Sequence, residues 1–379
     1  MVHLHRGRYE RRSEEEPGGW RNGYEDARLK TAEGEVAIRV PQVRGASGPY
    51  RSKLMEFLEG HSDVLDRLVT EMYARGLSTR DVEDAFKDAT GTLLISRSAL
   101  SEITDQLWED YQAFCSRDLS GIEVQYMFAD AIFESLRRYG AKEGVLAAWC
   151  VTTDGRKVLL HLAVGNKESE GCWMEFFRHM TARGLRLPTS ITSDGAPGLV
   201  NAITAAFSKT IRIRCWFHKM ANIRAKLPAE GAEEFMAHVR AIRDAPTLQA
   251  GQALAASVIG RFGSIYPAAV ACLGDDLEAS LAHLMLPPRH RVTARTTNLI
   301  ERSFEEERRR TKVIPRLLDE KSAMKLVFAT LIRASDRWNR VSVSELERQQ
   351  LIMLRRERGL DPPPLPETKP ARSRRRAAA

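Results

Sequence analysis

The sequence predicts an α/β fold: a mixed sheet with helices around it, an all-helical stretch inserted late, and a helical region in front. Three observations predict it. Residues 124–165 hold three apolar runs that read as consecutive antiparallel strands, and helix and strand signals then alternate to about residue 228. Between 229 and 292 the strand signal disappears. Before residue 118 apolar side chains recur mainly at helical spacing.

Residues 1–28 are polar, and poor order is expected there. "LKTAEGEVAIRVPQ" (29–42) reads as a hairpin turning at Glu33-Gly34, with Val36, Ile38 and Val40 alternating on one face. "VLDRLVTEMYARGL" (64–77) is helical, with Leu65, Leu68, Met72 and Tyr73 on one side and Gly76 as its stop. Ser78 and Asp81 form a capping-box start. A second helix in "SRSALSEITDQL" turns Leu100, Ile103 and Leu107 inward and leaves Arg97, Ser98, Ser101 and Glu102 outward. That is the shape of a helix-turn-helix whose second helix enters a major groove, or equally of an ordinary helical hairpin.

The strands are "VQYMFADAIF", "GVLAAWCVTT" and "RKVLLHLAVG", the last two joined by an Asp154-Gly155 turn. A helix over 168–184 aligns Trp173, Phe176, Phe177 and Met180. "TSITSD" is a fourth strand, "GLVNAITAAF" a helix, "TIRIRCWF" a fifth strand and "HKMANIRAKL" a helix. The insertion follows, then a charged helix in "TTNLIERSFEEERRRTKVIP" (296–315) and an amphipathic one in "EKSAMKLVFATLIRASDRW". The expected division is 1–60 (polar segment and hairpin), 61–118 (helical DNA-binding region), 119–228 (first part of the core), 229–292 (insertion), 293–345 (last core helices) and 346–379 (basic, Pro-rich tail).

Composition narrows the function classes. A chain of 379 residues with 43% hydrophobic content can build a sizeable core. It has no apolar run of about eighteen residues, so no membrane span is expected. Its start lacks the apolar segment of a secretory signal. Five scattered cysteines suit a reducing cytosol better than a disulfide framework. Lys plus Arg number 58 against 50 Asp plus Glu, a net +8 that permits nucleic-acid binding without requiring it.

Three carboxylates stand out. Asp130 interrupts an apolar strand, where an ionised group needs a partner. Asp194 ends the fourth strand, where an α/β sheet presents ligand-facing groups. Glu301 opens the charged helix, and its spacing from Asn298 also reads as a capping box. Three carboxylates brought together would suit Mg²⁺, and paired ions activate a nucleophile and stabilise a leaving 3′ oxygen.

"YERR", "LKTAEGEVAIRVPQVRG", "MYARGLSTRDVEDAF", "FADAIF", "TSDGAPGL", "RCWFHKMANIRAKLP" and "RTTNLIERSFEEERRRTKVIP" together resemble bacterial transposases of the Mutator type, over nearly the whole chain. The resemblance implies a ribonuclease-H-like catalytic domain interrupted by the helical insertion, with Asp130, Asp194 and Glu301 as catalytic, metal-binding acids of the DDE kind. It implies two Mg²⁺ ions, for which Mn²⁺ would substitute. The substrate would be double-stranded DNA, as the element's terminal inverted repeats and as target. A homo-oligomer on DNA and a cytoplasmic, nucleoid-associated location are expected with it.

Arg308, Arg309, Arg310 and Lys312 would then lie along a phosphate backbone, joining Arg97, Ser98 and Ser101 as DNA-contacting candidates. Cys215 and His218 match the family's Cys-x-x-His element. A zinc site would need a second such pair, and none follows, so positioning or DNA contact is expected, with Asn298 as further support. Trp216 is either a stacking platform for a base or a buried strand residue. "YERR" begins at Tyr9, earlier than in relatives of this type, which implies a truncated start or a member lacking part of its end-binding region. The rival readings are a catalytically inactive relic that binds or represses the element, and a cellular ribonuclease-H-like nuclease.

Overall fold

In the core, strand residues mostly alternate between the two faces of one sheet, and one set of them builds a single large apolar cluster. The computed structural model describes residues 20–31, 34–44, 63–86, 95, 97–135, 142–165, 169–228, 230, 232–311, 320–336 and 338–360. The chain divides into one compact unit of Met1–Gln112 with Glu307–Thr330 and a second of Ala113–Glu306 with Leu331–Ala379.

In the first unit β1 (Trp20–Thr31) and β2 (Gly34–Arg44) form an antiparallel hairpin. The strand thus starts well inside the stretch expected to be poorly ordered, because Trp20 to Arg28 pair with Arg44 to Ala37. Val36 is 48% exposed while Ile38 and Val40 are partly buried, so the alternating face of the hairpin is only partly covered. Three helices follow: α1 (Asp63–Ala74), α2 (Thr79–Ala85) and α3 (Arg97–Ser116). Gly76 takes φ +93° after α1, a conformation that strains any residue with a Cβ. Ser78 and Asp81 form the expected capping box. Leu65, Val69, Val82, Phe86, Ile95 and Leu100 make the core, whereas Leu68 faces solvent. In the same unit Asp105 binds Lys321 at 2.9 Å and Lys325 at 3.0 Å.

The second unit carries a five-stranded sheet in the order β5-β4-β3-β6-β7. It is built from β3 (Val124–Ser135), β4 (Lys142–Thr152), β5 (Lys157–Gly165), β6 (Ser190–Ser193) and β7 (Ile211–Arg214). β3, β4 and β5 run antiparallel to one another, and β6 and β7 extend the sheet parallel to β3. Met127, Ala129, Leu146, Ala148, Cys150 and Leu160 turn to one face, under α4 (Glu170–Ala182) and α5 (Pro197–Ala206). Trp173, Phe176, Phe177 and Met180 of α4 are buried there, as their spacing predicts. Phe128 and Asp130 occupy the intervening positions and so point to the opposite face.

α6 (Trp216–Arg224) begins two residues earlier than the sequence suggests, because β7 stops at Arg214. The insertion follows as α7 (Glu233–Arg243), α8 (Leu248–Phe262), α9 (Pro267–Gly274), α10 (Leu277–Leu281), a 3₁₀ turn at Ala282–Met285 and α11 (Pro288–Ala294). It closes its own core around Phe235, Val239, Ala255, Phe262 and Leu273, and Trp216 of α6 is buried in that core. Arg212 of β7 donates to Asp276 Oδ2 at 2.7 Å and so ties the sheet edge to the insertion.

The last helices are α12 (Asn298–Thr311), α13 (Glu320–Asp336) and α14 (Glu345–Glu357). α14 occupies the start of the segment assigned to a tail. A capping box of Ser344 and Glu347 starts it, and Leu351, Ile352 and Leu354 are buried. The Pro-rich run after residue 360 lies outside the described residues. Among the described residues no helix is long and apolar enough to cross a membrane.

Candidate active site

β3 and β6 bring the two aspartates together. Phe128 pairs with Thr192 in parallel register, so Asp130, two residues further along β3, and Asp194, just past the end of β6, come to the same end of the sheet, where the charge of Asp194 acts on Asp130. Asp130 is buried at 9% exposure, and its Oδ1 accepts the Ala131 N–H at 2.9 Å. Asp194 lies in the turn after β6, where its Oδ1 accepts the Ala196 N–H at 2.9 Å. Gly195 has φ +84°, and a Cβ there would overlap the Arg214 guanidinium. Only glycine allows this turn beside this buried arginine.

The third carboxylate arrives from beyond the insertion through a series of hydrogen bonds. Thr192 Oγ1 donates to the Ala294 carbonyl at 2.5 Å, and the Trp216 N–H donates to the Arg295 carbonyl at 2.9 Å. The Cys215 N–H donates to the Ser193 carbonyl at 2.8 Å. The Cys215 sulfur in turn accepts the Thr297 N–H at 3.3 Å. Thr297, fully buried, donates its hydroxyl to Glu301 Oε1 at 2.9 Å. That commits the hydroxyl proton to the carboxylate, so in the 3.3 Å contact between Cys215 Sγ and Thr297 Oγ1 the thiol is the donor. Each bond contributes roughly 1 kcal/mol of stability, but together they fix where α12 begins.

This network corrects the capping-box reading of Glu301. Asn298 is exposed and is the first helical residue, while the Thr297 carbonyl accepts the Glu301 N–H at 3.0 Å. The Glu301 carboxylate is held by the Thr297 hydroxyl instead. Thr297 was missed in the sequence, where nothing local marks it rather than Asn298 as the partner of Glu301.

His218 Nδ1 lies 4.0 Å from Glu301 Oε1. The electrostatics join all four groups. Burial first and the Asp194 charge next push the Asp130 carboxyl up to about 7; His218 opposes this and Glu301 adds to it. The Cys215 sulfur, followed by the charges of Asp130 and Glu301, pushes the His218 imidazole up to about 9 against the effect of burial. Carboxylates that repel one another in a half-buried place are relieved either by a retained proton or by a bound cation.

Two donor sets share Glu301. Asp130, Asp194 and Glu301 offer hard oxygens of the kind Mg²⁺ or Mn²⁺ prefers. Cys215, His218 and Glu301 each offer one atom within 4.8 Å of the others. That trio lacks the fourth ligand of a structural zinc site, and its sulfur is already engaged by Thr297 on both its donor and acceptor sides. Among the described residues that trio is the one group whose ligand atoms all come this close, and the three carboxylates are joined by charge coupling instead.

Trp216 is buried at 1% exposure, and its Nε1 donates to the Ser280 carbonyl at 2.7 Å. It therefore stacks on no base. It stands at the start of a helix rather than in a strand, because the chain turns at Cys215. Ser98, Ser101, Arg308 and Arg309 are exposed. Arg97 and Arg310 lie on α3 and α12, and Lys312 lies outside the described residues.

The sequence profile of the Mutator family of transposases matches residues 2–341. The chain is 30% identical over 343 residues to the transposase for insertion sequence element ISRM5 of Rhizobium meliloti (strain 1021), covering 89% of this chain and 85% of that one. It is 32% identical over 276 residues to the transposase for insertion sequence element IS6120 of Mycolicibacterium smegmatis, covering 73% and 85%. It is 28% identical over 325 residues to the transposase for IS256 in transposon Tn4001 of Staphylococcus aureus, covering 84% and 82%. With a profile match over most of its length and full-length relatives of this kind, the chain belongs to the Mutator family of transposases.

Proposed function

We propose that the protein is a DDE-type DNA transposase that binds the terminal inverted repeats of its insertion element, cleaves a strand and transfers it to target DNA. The observation that carries this reading is the meeting of Asp130, Asp194, Glu301 and His218 at one electrostatic site. Family membership supports DNA cutting and joining as the activity. The strand order β5-β4-β3-β6-β7, with β4 antiparallel to its neighbours, supports a ribonuclease-H-like core. The exposed start of α3 supports a helix-turn-helix reading of the first unit.

Asp130, Asp194 and Glu301 would hold divalent ions, Mg²⁺ or Mn²⁺, which when bound lower the pKa of water and stabilise an oxygen leaving phosphorus. The chain's own residues supply the rest. Strand pairing fixes the two aspartates, and the Cys215–Thr297 pair fixes Glu301. In cleavage, water forms a bond to phosphorus and the bond to the 3′ oxygen breaks, leaving a 3′-OH. In transfer, that hydroxyl forms a bond to a target phosphorus, and the bond from that phosphorus to the target strand's own 3′ oxygen breaks, leaving a new 3′-OH on the target. No side chain becomes covalently attached in either step. We place the activity in the cytoplasm, at the nucleoid, in a homo-oligomer assembled on DNA.

The test is nicking of linear DNA carrying the element's ends. The parent chain should nick in Mg²⁺ and fail in EDTA. Asp194→Asn should bind the same DNA with equal or greater affinity and leave it intact, since removing a negative charge does not weaken phosphate attraction. Binding without nicking by the parent chain would favour the inactive, repressor-like reading.

A further inference from the structure

The second unit also contains a cleft of about 500 Å³ that includes none of the three carboxylates. Phe114, Arg117, Arg156, Lys157, Trp338 and Arg340 contribute to its lining, and among the described residues no acidic one does. Its walls are tied together. The Val341 N–H donates to the Gly155 carbonyl at 2.8 Å, and Gly155 has φ +82°, where a Cβ would strike the Val341 carbonyl. The Trp338 ring packs on Trp149 with centroids 4.5 Å apart and stays half-buried.

The four cations of this cleft divide into two kinds. Arg117 donates to the carbonyls of Phe114 at 2.8 Å and Leu159 at 2.6 Å and lies over the Phe114 ring. Arg156 is paired with Asp154 at 2.7 Å. Those two are structural. Lys157 and Arg340 have no ion pair or hydrogen bond among the described residues. Burial, followed by the charge of Arg302, holds the Lys157 ammonium below its usual range. Arg302, whose charge acts on Lys157, directly follows Glu301 in the sequence.

Unpaired cations beside a fixed aromatic ring suit a ligand that offers both phosphates and a flat apolar face. A purely anionic ligand leaves Trp338 unused, and a paired duplex keeps its bases stacked. We propose that this cleft binds single-stranded DNA next to the cleaved end, with phosphates against Lys157 and Arg340 and one unstacked base against Trp338. The proposal rests on the DNA-cutting function above and assigns it a second contact on the substrate.

The experiment uses the full-length chain in EDTA and two labelled DNAs, a blunt duplex and the same duplex with an unpaired strand at one end. Fluorescence anisotropy is measured at several salt concentrations. For the unpaired end, Lys157→Gln with Arg340→Gln should lower the log–log salt slope by roughly 1.4, about 0.7 for each single-strand phosphate that is no longer neutralised. Trp338→Leu should weaken that binding on the order of tenfold. Trp338→Phe should recover part of it, which a purely structural role at Trp149 does not require. Blunt-duplex binding should not change. An unchanged slope for the double variant, or equal weakening on both DNAs, overturns the proposal. Nicking by the parent chain in Mg²⁺ is scored separately, so failure of the catalytic reading and failure of the cleft remain distinguishable.

Discussion

Asp130 is the residue on which the chemistry of the site turns. Burial and the neighbouring Asp194 raise its pKa from 3.8 to about 7. A raised carboxylate binds its proton more tightly in the folded chain than in the unfolded one. In the metal-free protein stability therefore falls as pH rises from about 4 to about 7. A divalent ion competes with that proton, so Mg²⁺ or Mn²⁺ affinity should climb through the same window, by at most about tenfold per pH unit, and level off above it. Calorimetric titration in two buffers of different ionisation enthalpy, at pH 6 and pH 8, reads the released proton directly. Equal proton release at both values would contradict the raised Asp130.

Thr297 makes a second test at the same scale. Thr297→Val keeps the shape but removes the proton given to Glu301 and the oxygen that faces Cys215. Stability should drop by about 1–2 kcal/mol. Cleavage should drop on the order of a hundredfold, the effect of a carboxylate misplaced by about 1 Å. Urea unfolding and nicking rate check the two separately. A rate loss no larger than the stability change explains would make Thr297 a packing residue only.

At the scale of elements, α12 is one continuous helix from Asn298 to Thr311. Glu301 opens it, and Arg308 and Arg309 lie about two turns later. Consecutive residues diverge by roughly 100° around a helix, so the two arginines cannot serve one phosphate backbone equally. Arg308 shares the Glu301 stripe and should be the stronger contact. Arg308→Ala should reduce the log–log salt slope of end-DNA binding by about one, with Arg309→Ala smaller. An unchanged slope in titrations at several salt concentrations would return Arg308 to a solvated helix face.

At the scale of the second unit, the fold closes through α14. Arg355, 5% exposed, donates to the Leu187 carbonyl at 3.1 Å and to Thr189 Oγ1 at 3.0 Å, on the approach to β6. Thr189 Oγ1 also accepts from Gln125 Nε2 at 2.6 Å, just ahead of the β3 residues that pair with β6. Arg355→Leu leaves the Leu187 carbonyl without this donor and Thr189 Oγ1 with Gln125 alone, and should destabilise the unit by about 1–2 kcal/mol. The urea midpoint should fall with the slope m unchanged. Since β3 and β6 carry Asp130 and lead to Asp194, Mg²⁺ affinity should weaken in the same variant.

The strands of the core, the apolar side of α4, the Ser78 capping box and the helical insertion were all legible from periodicity and cap residues, because local spacing and burial agree there. The identity of the three acids came from the family resemblance, which rests on residue order and not on geometry. Other features depend on partners distant in sequence. No local pattern announces that Thr297, rather than Asn298, holds Glu301, because the decisive sulfur belongs to Cys215 on the far side of the insertion. Trp216 reads as a strand residue until β7 stops early and the insertion core covers its ring. The start of β1 was hidden because its polar residues are ordered only by pairing, and α14 because its short apolar run, Leu351 to Leu354, sits among charged residues and is ordered by docking. Sequence by itself determined which segments form elements and which face of each is apolar, since both follow from backbone periodicity and the hydrophobic effect. Only the tertiary structure decided which polar groups meet, because hydrogen bonds and charge coupling act over a few ångströms of space whatever the separation along the chain.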